Sequence, residues 1–353
     1  MSEIKTSSDM NESNVGKSNI GISFIVPCYN ISAYFDRLSR CIEHQLSSGD
    51  CGQIEFILIN DGSTDDTLIH LRHLQSRYPC QVIVIDQPNM GVSAARNAGI
   101  EQAQREFIGF LDSDDLLMAG AVSTLLKTIS ADDVDVLIFD FDSVTDPSQI
   151  PSLSSTSSIH THYQGDLRAY YLTFTPIVVW RMLYRTSLIK DNNILFPSIT
   201  IGEDTLFNFS VFMLGGRVKH IDSVLYYHID RECSLSSSVD APYVRKIIAS
   251  VLKMQEAYNT YLLTHEESSA IISKINEHRK RQVRFVFDKL ITSASCFTSR
   301  EIRDLRLSLE HLGAFPIAVT SMVDRRVNFH LKHPFTVTCL YYLHRIKRFC
   351  CCR

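Results

Sequence analysis

The sequence lacks the features that mark several protein classes. Its ten cysteines include no Cys-x-x-Cys pair, so zinc-site spacing is absent. No uncharged apolar run reaches the ~18 residues that span a bilayer; Phe335 to Leu343, the longest near the end, is about half that length. A Gly-x-Gly-x-x-Gly fingerprint is missing, which argues against a dehydrogenase, and Gly16-Lys17-Ser18 is no P-loop, because position 11 is Asn and no strand precedes it. There is no basic excess either. Against 39 Asp+Glu stand 35 Lys+Arg, a formal net charge of −4, which excludes a general nucleic-acid binder. The first twenty residues are polar and lack the apolar core of a secretory signal, so a cytoplasmic chain with free thiols is expected.

What is present describes a globular protein: 353 residues, 45% hydrophobic and 21% charged, enough for about two domains. No internal repeat is seen. The charge is unevenly placed. Asp324 is the last acid, and seven Lys/Arg follow it, so residues 1–324 carry −11 and the remainder offsets part of that. Short apolar runs at Ile22–Val26, Ile54–Ile59, Val82–Ile85, Phe107–Leu111 and Val134–Phe141 alternate with helical segments. This βαβα order predicts an α/β domain whose mostly parallel central sheet has helices on both faces and binds ligands at the carboxyl ends of its strands. The Ser- and Pro-rich segment Pro147–Ser158 reads as a loop or lid. Beyond Asp240 the period turns helical, with Val244, Ile247, Ile248, Val251 and Leu252, then Val283, Val286, Phe287 and Leu290. Four parts result: a polar tail (1–20), the α/β domain (21–240), a helical region (241–334) and a last segment (335–353).

Polar residues cluster where strands end. The first expected strand leads into Pro27-Cys28-Tyr29-Asn30, the second into Asn60-Asp61-Gly62-Ser63-Thr64-Asp65-Asp66, the fourth into Asp112-Ser113-Asp114-Asp115. Ser63 or Thr64 suits a helix cap, and Asp65 and Asp66 complement the helix dipole. Asp61, at the strand tip, is placed to accept hydrogen bonds from a ligand base. Asp112 and Asp114 alternate at a strand end and can converge on one hard cation or a ribose; the competing reading is a solvated acidic turn.

Four ordered motifs resemble the successive signatures of family-2 glycosyltransferases: Phe24-Ile25-Val26-Pro27-Cys28-Tyr29-Asn30, Ile59-Asn60-Asp61-Gly62-Ser63-Thr64-Asp65, Asn89-Met90-Gly91-Val92-Ser93-Ala94-Ala95-Arg96-Asn97 and Phe110-Leu111-Asp112-Ser113-Asp114-Asp115. The resemblance spans roughly residues 21–240 and implies a GT-A fold. It implies that Pro27, Tyr29 and Asp61 hold the nucleotide base, Asp112 the ribose region with Asp115 beside it, and Asp114 a Mn²⁺ or Mg²⁺ ion bridging the diphosphate. Arg96 either shapes the nucleotide site or pairs structurally with a strand-end aspartate. Gly202-Glu203-Asp204-Thr205 resembles the family's acidic pair, which implies Asp204 as catalytic base and Glu203 as an orienting or capping group, with Trp180 near the acceptor. In Tyr226-Tyr227-His228, His228 stands where the family often has arginine and reads as a structural histidine.

The implied reaction is inverting, metal-dependent transfer of one hexosyl or N-acetylhexosaminyl unit. The donor is a nucleotide-diphosphate sugar, UDP-linked by expectation, and the acceptor a hydroxyl of a glycan or lipid-linked molecule in surface-polysaccharide or lipopolysaccharide assembly. A non-catalytic GT-A-like scaffold subunit is the alternative; a sugar nucleotidyltransferase is disfavoured because its Gly-rich N-terminal loop is absent. On a helical wheel, residues 335–353 place Phe335, Cys339, Tyr342, Leu343, Ile346, Phe349 and Cys350 opposite Arg345, Lys347 and Arg348. Such a helix fits either the cytoplasmic membrane surface or the protein's own acidic body.

Overall fold

A computed structural model describes residues 20–47, 51–145, 160–175, 177–230, 240–293, 296–337 and 339–340. The polar tail through residue 19, the Pro147–Ser158 segment and the last segment beyond residue 340 lie outside the described residues.

Strands β1 (Ile22–Cys28), β2 (Ile54–Asp61), β3 (Val82–Gln87) and β4 (Phe107–Phe110) alternate with helices α1 (Phe35–Leu46), α2 (Thr67–Arg77) and α3 (Val92–Gln102). Every residue of β2 is buried, as its near-continuous apolar sequence requires of a strand covered on both faces. β2 pairs in parallel with β1 and β3, and β1 with β4. The register decides where chemistry collects. Cys28 pairs with Asn60 and Asn60 with Asp86, while Phe110 pairs with Ile25. The polar residues that follow these strands therefore emerge along one edge of the sheet.

Past β4 the simple alternation ends. β5 (Leu116–Leu117), α4 (Ala121–Ala131), β6 (Val136–Val144), β7 (Thr161–Asp166), α5 (Leu167–Phe174), β8 (Met182–Arg185), α6 (Thr186–Lys190), α7 (Glu203–Met213) and β9 (Arg217–Ile229) follow in turn. β8 runs antiparallel between β4 and β6, giving the order β3-β2-β1-β4-β8-β6-β9, with β5 and β7 antiparallel against β9. The sheet is mixed and mostly parallel.

Alternate side chains of each strand feed opposite faces. Phe24, Phe56 and Leu58 pack with Leu38, Ile42, Leu71 and Leu125 of α1, α2 and α4. Ile25, Ile57, Ile59 and Ile108 pack with Ala95, Tyr171 and Phe207 of α3, α5 and α7.

Helices α8 (Ala241–Thr264), α9 (Ser269–Ser293), α10 (Ser299–His311) and α11 (Met322–Lys332) complete the fold. Asp240 caps α8 through the Tyr243 amide, with Pro242 in the first turn where a missing N–H costs nothing. The expected helical stripes are realised by Val244, Ile247, Val251, Val283, Val286 and Leu290, which form a core of their own with Leu305 and Val327. Met254, Tyr258, Ile271 and Ile275 instead join the sheet's second core, so the helical region grips the α/β layer directly. At its far end Asp324 is fully buried, accepts the amides of Thr320 and Ser321, and pairs with Lys280 (2.9 Å) and Arg284. No helix among the described residues is long and apolar enough to cross a membrane.

Candidate active site

The carboxyl edge of β1, β2 and β4 opens on a cavity of about 760 Å³, within the usual range for small-molecule sites. Pro27, Tyr29, Asp61, Arg96, Asp112 and Asp114 all line it, joined by Met90, Gly91 and Ser198–Thr200. Residues from five separate stretches of sequence thus share one space.

The turn after β2 is built differently from the sequence expectation. Ser63 and Thr64 do not cap α2; Ser63 Oγ accepts the Asn30 amide (3.0 Å), and the Thr64 amide donates to Asn30 Oδ1 (2.8 Å). These bonds tie the loop after β1 to the loop after β2. Asp66 stands at the N-cap position without a side-chain cap bond, while Asp65 accepts the amides of Ser32 and Thr67. Gly62 has φ +67, and a Cβ there would lie 2.5 Å from the Asn89 nitrogen, so only glycine lets the third loop approach.

Asp61 is buried at the tip of β2 and organises that third loop. Its carboxylate accepts from Gln87 Nε2 (2.8 Å), the Met90 amide (2.9 Å) and the Gly91 amide (2.8 Å). A carboxylate offers about four lone-pair directions, so roughly one remains for a ligand donor.

Arg96, on α3, is the hub. Its guanidinium is almost fully buried and donates to Asp204 Oδ1 (2.7 Å) and Asp112 Oδ1 (3.0 Å), with Glu203 Oε1 at 3.6 Å. Phe196 lies under it, 5.1 Å from ring centre to guanidinium carbon. It pairs with a strand-end aspartate and also lines the cavity. One cation facing three carboxylates leaves the cluster electrostatically starved of positive charge. Burial pushes the Asp204 carboxyl up to about 7; Arg96 opposes this, while Glu203 and Asp112 add to it. Burial likewise raises Glu203, again against Arg96.

Asp204 and Glu203 open α7, whose N-cap is Gly202 at φ +79. A Cβ on Gly202 would meet Met254 Sδ at 2.5 Å, so the glycine allows both the left-handed turn and the close seat on α8. Asp204 Oδ2 also accepts the Val179 amide (3.3 Å), which ties it to the segment carrying Trp180.

Four of the designated residues do not line this cavity: Glu203 and Asp204, which are joined to it through Arg96, and Asp115 and Trp180. Asp115 is buried outside the cavity lining, bound by Tyr226 Oη (2.7 Å), the Ile229 amide (2.8 Å) and His228 Nδ1 (3.1 Å). Burial raises its carboxyl to about 6. Trp180 is also largely buried, stacked on Tyr226 (4.6 Å) and His228 (5.6 Å) with Phe141 edge-on at 4.6 Å. Its indole props the wall that carries His228.

His228, on β9, is held beside Asp115 and stacked on Trp180. Its ring remains partly exposed, Nδ1 is fixed by Asp115, and Nε2 lies 3.7 Å from an Asp230 oxygen. Burial presses its pKa down, but the carboxylates of Asp115, Asp230 and Asp114 more than reverse this, and it rises. In the sequence it is only a His two residues beyond Tyr226; its carboxylate partner is 113 residues away.

Cys28 and Cys41 are buried free thiols, with Cys41 pushed up to about 11 by burial, so neither offers a thiolate nucleophile.

A mostly parallel sheet with acidic strand ends around a nucleotide-sized cavity defines a GT-A glycosyltransferase. The solved structures with the same fold include Staphylococcus aureus TarS 1–349 in complex with UDP-GlcNAc, TM-score 0.56 at 20% identity, over 89% of this chain and 92% of that one. The mannosyltransferase PcManGT of Pyrobaculum calidifontis, in complex with GDP-Man and Mn²⁺, aligns over 92% of this chain and 86% of that one, with TM-score 0.50 and 12% identity. By sequence, the Glycosyl transferase family 2 model matches residues 23–191, and Bacillus subtilis EpsJ, an uncharacterized glycosyltransferase, is 30% identical over 68% of this chain and 70% of its own. The chain belongs to glycosyl transferase family 2 and is a glycosyltransferase.

Proposed function

We propose that this enzyme transfers one hexosyl or N-acetylhexosaminyl unit, with inversion, from a UDP-linked sugar to a hydroxyl of a glycan or lipid-linked acceptor in cell-surface polysaccharide assembly. The observation that carries the proposal is the Asp112–Arg96–Asp204 chain, which couples the donor cavity to a buried carboxylate of near-neutral pKa. Pro27, Tyr29 and Asp61 hold the base and Asp112 the ribose region. The two relatives of known structure bind UDP-GlcNAc and GDP-Man with Mn²⁺, which supports a nucleotide-sugar donor.

The donor set fits a hard divalent cation. Asp114 and Asp112, which line the cavity, would supply carboxylate oxygens to it. Among the described residues no three such side chains converge closely enough to hold an ion by themselves, so a bound ion would also draw on the donor's phosphate oxygens. When bound, Mn²⁺ or Mg²⁺ neutralises charge growing on the leaving diphosphate.

Asp204 is the base. An acceptor hydroxyl attacking the anomeric carbon gives its proton to the Asp204 carboxylate as the bond to the UDP oxygen breaks. A carboxyl near 7 suits this, because its ionised form is populated at neutral pH yet remains a competent proton acceptor. Arg96 keeps that carboxylate ionised and in place, and Glu203 supports Arg96. A direct displacement with one base and no protein nucleophile inverts the anomeric centre. Asp115 and Trp180 act from behind, orienting His228 and the acceptor wall.

The experiment is a donor panel: UDP- and GDP-sugars with the purified protein, nucleotide release measured with EDTA, Mg²⁺ or Mn²⁺. One UDP-sugar giving cation-dependent release is the expected result; release unaffected by EDTA would overturn the cation assignment. We place the enzyme on the cytoplasmic membrane face, with residues 335–353 as a basic amphipathic anchor. Full sedimentation with anionic liposomes after truncation before Phe335 would remove the anchor.

A further inference from the structure

Helix α11 turns one narrow stripe to the protein. At 100° per residue Asp324, Val327 and Leu331 share that stripe, and all three are buried. Opposite them stand Met322 and Phe329, 68% and 52% exposed. Exposed Arg325 and Lys332 flank this ridge on one side, exposed Val323 and Arg326 on the other. Phe335, beyond the end of the helix, is 72% exposed. The usual solvated helix face mixes charges of both signs and avoids contiguous apolar side chains. This face does neither.

Charge decides what meets it. Residues 341–353 carry Arg345, Lys347, Arg348 and Arg353 with no acid, so that segment is repelled from the ridge. A second copy presenting the same face would set cations against cations. An anionic bilayer complements both halves of the pattern, taking apolar side chains into the headgroup and acyl boundary and cations to lipid phosphates. We infer that the outer face of α11, with Phe335, is a lipid-docking surface for anionic membranes, formed by folded helix and distinct from the segment after residue 340. It rests on the membrane-facing reading of the enzyme, but not on the anchoring role given there to the last residues.

The test uses the full chain and vesicles of phosphatidylglycerol with phosphatidylcholine, against phosphatidylcholine alone. Each cation near such a surface is worth about a fivefold change in partitioning, so R325Q/R326Q/K332Q should lower binding about 100-fold. Removing apolar contact in M322S/F329S should lower it about tenfold or more. These side chains are exposed and none of them lines the cavity, so both variants should keep the wild-type melting temperature and donor turnover, which excludes misfolding as the cause. α11 variants that bind like wild type, while truncation after Leu340 abolishes binding, overturn this inference and leave the terminal anchor standing. A wild-type chain that ignores anionic vesicles overturns both. Equal binding to uncharged vesicles overturns the anionic assignment.

Discussion

Replacing Arg96 by Gln should move the acid limb of the pH–rate profile. The guanidinium is 2.7 Å from Asp204 Oδ1, and the carboxyl stands at about 7 with that cation in place. Two unit charges about 4 Å apart interact by about 4 kcal/mol at the effective dielectric constant of partly buried pairs. At about 1.4 kcal/mol per pKa unit that is about 3 units. Solvent entering the vacated space screens part of it, so about 2 units is the working figure. The carboxyl then titrates near 9, the ionised fraction at pH 7 falls from about half to about 1%, and kcat/KM at pH 7 falls about 50-fold. Above pH 9.5 most of the loss should return. Arg96→Lys keeps a cation and should move the limb by less. The assay is kcat/KM for nucleotide release in the presence of acceptor, from pH 6 to 10. An R96Q enzyme whose loss is the same at pH 7 and pH 9.5, with the limb unmoved, would refute the electrostatic role and leave only a geometric one.

Other consequences follow from the same geometry. Asp204→Asn should stabilise the fold at pH 8: a carboxyl raised from 3.8 to about 7 contributes stability at low pH that is lost as pH rises through 7. Thermal melts should show the variant's gain at pH 8 and none near pH 4, where wild-type Asp204 is also protonated. Asp61→Asn replaces one of the two acceptor oxygens that hold Gln87, Met90 and Gly91 by a donor, so donor KM should rise about tenfold with kcat little changed in steady-state kinetics. Gly202→Ala should cost about 1–2 kcal/mol in urea unfolding for its left-handed backbone, and more for the clash with Met254; measured against Met254→Ala alone, which carries its own core cost, the same change should keep only the first part. Asp324→Ala leaves Lys280 and Arg284 without their buried partner and uncaps α11, a loss of about 3 kcal/mol measurable by the same unfolding.

What the sequence made legible was local. Apolar runs placed β1 to β4 and β6, and the residues just past their ends, Tyr29, Asp61, Asp112 and Asp114, meet at one cavity because parallel register brings those ends together. Long-range pairing left less trace. β8 is four residues long, too short for periodicity to reveal, and only its partners in β4 and β6 make it a strand. Asp115 sits in an acidic turn that reads as solvated, yet Tyr226, His228 and Ile229, more than a hundred residues on, bury it. Arg96 could be assigned to the nucleotide or to a strand-end aspartate from its motif, but its bond to Asp204 spans 108 positions and appears only in three dimensions.

The most direct test of the proposed chemistry is a paired measurement on Asp204→Asn: donor affinity by calorimetry in the presence of Mn²⁺, and the single-turnover rate of sugar transfer at pH 8. The expected result is a donor Kd within about threefold of wild type and a transfer rate lower by about 10²–10⁴, the range for loss of a general base. A variant that transfers sugar within about tenfold of the wild-type rate would contradict Asp204 as the base, whatever its donor affinity.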